Sequence, residues 1–227
     1  MICFAQIPLV SPGSIATELA GYSSDWKAHF NTLHYQGEWT VLPLRAPGGK
    51  DHIVPDLMGE QSYADTAHMQ HFPSVSSLLR SFGCPVQSVR FLNLKAGACI
   101  KPHRDRELAF EMGEARLHFP IITNPDVAFF VENHQLNMQA GECWYINANL
   151  THHVSNNGKT DRVHLVMDCL VNDWLRELFS RAVKHTKADI VDLERQKQII
   201  DALRLQNNPT AMQLADQLER ELGIYKP

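Results

Sequence analysis

The segments KPHRDR (residues 101–106), ARLHFPI (115–121) and LTHHVSNNGKTDRVHLVMD (150–168) read as β-strands and strand-turn-strand runs. In the second, Leu117, Phe119 and Ile121 take one face and Arg116 and His118 the other, the period-two alternation of a half-buried strand. In the first, His103 and Asp105 stand two apart, so on extended backbone they point to the same side. The third brings two adjacent histidines, His152 and His153, and then Arg162.

Outward from these segments, short strands recur at intervals of roughly ten residues, which marks a β-sandwich or barrel. Val89 and Phe91 alternate with Arg90; Ala98 to Asp105 is a strand; 127–132 and 134–138 form a hairpin around Glu132-Asn133; Gly141 turns the chain into 143–147. Together with 115–122, 150–155 and 162–170 they make about eight strands, enough for a double-stranded β-helix, a cupin-like jelly roll. The expected architecture is therefore mainly β with flanking helices. It comprises a mixed α/β part over residues 1–84, a jelly-roll core over 85–172 and a helical region over 173–227.

In the first part, 14–20 and 25–33 have helical character, with Ser24 or Asp25 as N-cap, and 72–82 is a short helix that Gly83 stops. Residues 37–45, GEWTVLPLR, read as a strand followed by a loop. His52, His68 and His71 have no partner at a recognisable spacing and read as surface or loop histidines. In the last part, 174–183, 189–205 and 210–222 read as helices. The second is amphipathic, its Ile190, Leu193, Ile199 and Leu203 serving as packing, and it suggests self-association into a homo-oligomer.

Two imidazoles and one carboxylate on one face are the donor set of non-haem iron(II), leaving open positions for a bidentate cosubstrate and dioxygen. His103 and Asp105 supply two donors, and a distant strand must supply the third. If 156–161 is a hairpin turn centred near Gly158, His152 faces His164 and Val154 faces Arg162. His152 and Arg162 are then diagonal neighbours about 7–8 Å apart on one face. Parity thus prefers His152 over His153, and Arg162 would meet the far carboxylate of a five-carbon diacid chelating the iron. In this register His164 is a pocket wall or, preferably, a packed core histidine. Asp168 is a buttress of the ligands or a solvated strand end.

The 227 residues suffice for one substantial domain with an appendage, and 44% hydrophobic with 20% charged residues is ordinary globular composition. A net charge of −4 and a pI of about 6.3 carry no basic stripe for nucleic acid. No apolar run is long enough for a membrane span and no signal segment is evident, so a cytoplasmic protein is expected. Five dispersed cysteines without a C-x-x-C spacing argue against a disulfide framework or structural zinc.

The runs RFLNLKAGACIKPHRD (90–105), RLHFPI (116–121), AGECWYIN (140–147), THHVSN (151–156) and RVHLVMD (162–168) together resemble the aspartyl/asparaginyl β-hydroxylase family. Within it they are most similar to the bacterial proline hydroxylases, over roughly residues 35–175. The resemblance implies an Fe(II)- and 2-oxoglutarate-dependent dioxygenase hydroxylating an unactivated C–H of an amino acid, free, carrier-tethered or in a peptide, with succinate and CO2 as coproducts. It implies that His103, Asp105 and His152 bind the metal, Arg162 binds the distal 2-oxoglutarate carboxylate, and Arg116 and His118 form a second anion site. Arg90, and Trp39 on the N-terminal strand, fall at the substrate end, and no catalytic residue is expected beyond the metal ligands. Two other readings stay open: a cupin-like sensor of a metal or small acid without turnover, and a metal-dependent hydrolase.

Overall fold

A computed structural model describes residues 1–23, 26–51, 62–105, 108–187 and 193–221. In chain order the elements are β1 (Ile2–Ile7), α1 (Ser14–Ala20), β2 (Lys27–Ala28), β3 (Tyr35–Gln36), β4 (Trp39–Pro47), β5 (Tyr63–Asp65), α2 (Pro73–Arg80) and β6 (Val86–Leu94). Then come β7 (Cys99–His103), β8 (Glu114–Ile122), β9 (Val127–Val131), β10 (His134–Leu136), β11 (Cys143–Ile146), β12 (His152–Asn156), β13 (Arg162–Leu170), α3 (Asp173–Ser180) and β14 (Val183–Thr186). Met1–Lys187 form one compact unit; a second begins at Ala188, and its described helices are α4 (Leu193–Leu205) and α5 (Pro209–Glu221).

The larger sheet runs β14-β1-β11-β8-β13-β6-β4-β2, with β5 beside β4, and the smaller runs β10-β9-β12-β7-β3. From β6 to β13 the chain alternates between them: β6, β8, β11 and β13 lie in the larger sheet, β7, β9, β10 and β12 in the smaller. That winding is the jelly roll expected from the strand spacing.

The larger sheet is covered on both faces. Outward, Leu42, Phe91, Leu117, Phe119, Leu165 and Met167 pack with Ile15 of α1, Val75 of α2 and Phe179 of α3. Inward, Val41, Leu94, Ile146 and Val166 meet Ile100, Phe129, Val131 and Val154 of the smaller sheet. Every residue of β13 but the last is therefore buried, although its sequence still alternates.

The expected hairpin between β12 and β13 does not form. β12 pairs with β7 and β9, whereas β13 pairs with β6 and β8 in the other sheet. The intervening turn is a corner, built on the buried Asn156 side chain. Its Nδ2 donates to Leu94 O (3.0 Å) and Thr160 O (2.9 Å), and its Oδ1 accepts from Gly158 N (3.2 Å) and Asn124 Nδ2 (3.1 Å). Glycine is required at 158 because an added Cβ would lie 2.2 Å from Asn124 Oδ1. Asn156→Ala removes all four side-chain bonds of this corner and is expected to lower stability by about 2–3 kcal/mol, read as a fall in the midpoint of urea unfolding.

Two helix expectations also change. Within 25–33, Lys27–Ala28 form β2 on the edge of β4 and the next regular element, Thr32–His34, is a single 3-10 turn. Backbone pairing with the sheet edge outweighs the weak local helical preference. The proposed caps Ser24 and Asp25, like His52, lie outside the described residues. The helix expected over 174–183 ends at Ser180, and Val183 opens β14, which covers the outer edge of β1.

In the second unit Asn208 Oδ1 accepts from Ala211 N (2.9 Å), capping α5. Arg204 pairs with Asp216 and Glu219, Ile200 is buried and Ile199 is exposed. The described part of the helix expected from Asp189 begins at Leu193. Among the described residues no helix is long and apolar enough to cross a membrane.

Candidate metal centre

His103 closes β7 and His152 opens β12, and the two are cross-strand partners, with ring centroids 4.2 Å apart. Asp105 follows β7, fixed by its own N–H donating to Ala148 O (2.8 Å), and its Oδ1 lies 3.8 Å from His103 Nε2. One donor atom from each of the three lies within 4.8 Å of the others. His153 points to the opposite face of the sheet and stacks on Phe130, centroids 4.7 Å apart.

Backbone carbonyls orient both rings. Nδ1 of His103 donates to Lys101 O (2.8 Å) and Nδ1 of His152 to Leu150 O (3.0 Å). A ring that donates through Nδ1 presents the Nε2 lone pair as its ligand atom. Burial, reinforced by His103, pushes the His152 pKa down to about 4, so the ring is a neutral donor at ordinary pH. Two imidazoles and a carboxylate converging from one side fit iron(II).

Behind Asp105 stands an ionic chain. Arg116 Nη1 donates to Asp105 Oδ2, while Arg116 Nε and Nη2 donate to Asp168 at 2.7 and 3.2 Å. Asp168 Oδ2 also accepts from Arg90 Nη1 (2.8 Å) and Ser88 Oγ (2.7 Å). Asp168 is thus a buried acceptor rather than a solvated strand end, and it acts on Arg116 instead of on the imidazoles. Burial raises the pKa of both carboxyls, but Arg116 outweighs it, aided at Asp168 by Arg90 and at Asp105 by His152 and His103, and holds both below the usual carboxylate range.

Replacing the buried Asp168 by asparagine leaves two partly buried guanidinium groups short of one charge, and it is expected to cost about 3–5 kcal/mol. Because its folded pKa is depressed, Asp168 stabilises the fold above the unfolded value near 4 and loses that contribution as pH falls further. The variant should therefore lose stability at neutral pH and show a flatter acid limb in denaturant titrations.

Arg162 is 2% exposed at the start of β13. Its Nη2 donates to His164 Nδ1 (2.8 Å), its guanidinium carbon lies 5.5 Å from the Phe129 ring centroid, and its Nε has no partner among the described residues. Burial lowers its pKa to about 9, and no acid among the described residues counters it. His118 is buried nearby, its ring centroid 5.7 Å from that of His164, and neither ring nitrogen has a partner among the described residues. Burial, with Arg162, Arg116 and His152 around it, pushes the His118 pKa well below its ordinary value. A buried guanidinium with no acid among the described residues, beside an imidazole with no partner among them, fits an anion.

Trp39, buried at the start of β4, stacks on His29 with centroids 3.5 Å apart, and its Nε1 has no partner among the described residues. His34 brings its ring centroid to 5.3 Å from that of His103. Neither His29 nor His34 was identified from sequence, and no spacing signal marks them. Burial and then the nearby Arg90 charge push His29 down to about 3, leaving it neutral.

Residues 13–171 match the family model for aspartyl/asparaginyl beta-hydroxylase. The chain is 29% identical over 160 residues to L-proline cis-4-hydroxylase of Rhizobium meliloti (strain 1021), covering 69% of this chain and 56% of that one. It is 28% identical over 165 residues to L-proline cis-3-hydroxylase 2 of a Streptomyces species, with the same two coverages. It thus spans little more than half the length of these relatives. A solved prolyl-4-hydroxylase from Pseudomonas putida superposes with a TM-score of 0.47 at 13% identity, covering 76% of this chain and 94% of that one. With the family model matching well over half of its length, the chain belongs to the aspartyl/asparaginyl β-hydroxylase family.

Proposed function

We propose that this chain is an Fe(II)- and 2-oxoglutarate-dependent dioxygenase that hydroxylates an unactivated C–H of an amino acid, free, carrier-tethered or within a peptide, and releases succinate and CO2. The observation that carries the reading is the buried Arg162 guanidinium, with no acid beside it among the described residues, in the same barrel as the His103, Asp105 and His152 cluster. Those three residues would hold the iron. Bound iron and 2-oxoglutarate would supply, with dioxygen, the oxidising power that no protein side chain has.

This chain's residues do the positioning. Arg162 takes the distal carboxylate of the diacid, and His118, with both nitrogens open, takes a further oxygen. Arg116 holds Asp105 in place and offers its remaining donors to an anion above the metal. Arg90 and Trp39 form the substrate end, where a carboxylate would meet the guanidinium and an aliphatic side chain the indole. The names of the two curated relatives, both proline hydroxylases, support a small amino-acid substrate. Exposed Ile199, Leu205, Met212 and Leu214 support self-association through α4 and α5, which sedimentation would read.

The deciding assay mixes the protein with iron(II), ascorbate, 2-oxoglutarate and a panel of free amino acids, and measures succinate and product mass. A substrate-stimulated rise in succinate with a gain of one oxygen atom supports the reading. Metal or diacid binding without succinate would instead make the chain a sensor, and zinc-supported activity without dioxygen a hydrolase.

A further inference from the structure

The barrel holds a cavity of about 670 Å3 that none of the three candidate metal ligands lines. Its rim carries the exposed side chains of Gln135, Asn137 and Gln139, and its floor is made by buried Phe129, Leu136 and His164. Among the described residues no carboxylate, lysine or arginine lines it. Its position along the barrel follows from register. His152 pairs with Val131 at one end of β9, whereas the cavity reaches from Phe129 in its middle to Val127 at the other end. On β13, Asp168 pairs with Arg116 near the metal cluster, while Arg162 and His164 stand at the opposite end of that strand.

Only one layer of side chains separates the cavity floor from Arg162. His164 lines the cavity and accepts the Arg162 Nη2 hydrogen at 2.8 Å; Phe129 lines it and lies beneath the same guanidinium. The approach is therefore neutral and hydrogen-bonding, with an uncompensated cation directly behind its floor. Such a funnel draws anions and repels none.

We propose that this cavity is a rear entrance to the anion site, by which a small dicarboxylate reaches and leaves Arg162 past His164 without crossing the metal side of the barrel. The inference rests on the 2-oxoglutarate reading given above. It would give the diacid a path, through a shift of the buried His164 ring, that an amino acid on the metal side leaves unblocked.

The test uses the whole protein loaded with manganese(II), kept free of oxygen, and mixed rapidly with 2-oxoglutarate while tryptophan fluorescence is followed. Gln135→Lys is expected to speed association about threefold at low salt and Gln135→Glu to slow it by a similar factor, the rates converging as salt is raised. Manganese affinity and thermal midpoint should stay at the parent values, since Gln135 is exposed. Parent rates in both variants, alongside a shift in Lys101→Glu next to the metal cluster, would overturn the rear entrance and leave the cosubstrate reading intact. A parent protein that binds no 2-oxoglutarate would overturn both.

Discussion

Alanine at position 152 is expected to weaken iron(II) binding by at least about 100-fold and to abolish succinate formation, while alanine at 153 keeps both within about twofold. The contrast arises because neighbours on a strand face opposite ways. His152 turns into the barrel, with its ring centroid 4.2 Å from that of His103, and His153 lies flat on Phe130 outside it. Anaerobic calorimetric titration with iron(II) reads the affinity apart from turnover. His152→Ala binding metal like the parent would sink the assignment. The outer-face variant also controls for folding, because it removes a similar ring from the same strand.

Arg162→Met is expected to act in two opposite directions. Binding of 2-oxoglutarate should fall about 100- to 1,000-fold, the loss of a buried, charge-assisted carboxylate contact. Stability without ligand should rise by about 1–3 kcal/mol, because methionine fills the site without a desolvated cation. A guanidinium kept for structure gives the reverse sign in the melting experiment. Stability lost on replacement by methionine would therefore count against an anion site at this position. Arg162→Lys keeps the charge but not the planar fork, and its binding should fall between the two.

How much of this was legible in sequence follows from what alternation encodes. Parity along β8 and β13 separates Arg116, His118, Arg162 and His164 from Leu117, Phe119, Val163 and Leu165, and the structure keeps these sets on opposite faces. Parity is silent on which sheet a strand joins. The hairpin register assumed that neighbours in sequence pair, which holds for β9 and β10 but fails wherever the winding crosses between sheets, as it does from β12 to β13. His152 and Arg162 do both face the barrel interior, but from opposite sheets, so the parity survived while the pairing failed.

β1 escaped notice for a different reason. Its buried positions are Cys3, Ala5 and Ile7, and its half-exposed ones include Ile2 and Phe4, so side-chain size runs against burial. His29 and His34 were invisible because only the pairing of β2 and β3 to distant strands brings that segment to the metal cluster.

The strand that carries Arg162, His164 and Asp168 inward is the same one whose Leu165 and Met167 lock outward into the helical layer, with main-chain bonds on both flanks. Its inward groups consequently stand on a backbone that is already fixed before a ligand arrives. On the proposed reading, little backbone ordering entropy would oppose capture of a small diacid there, and its affinity would rest on a few well-aimed contacts.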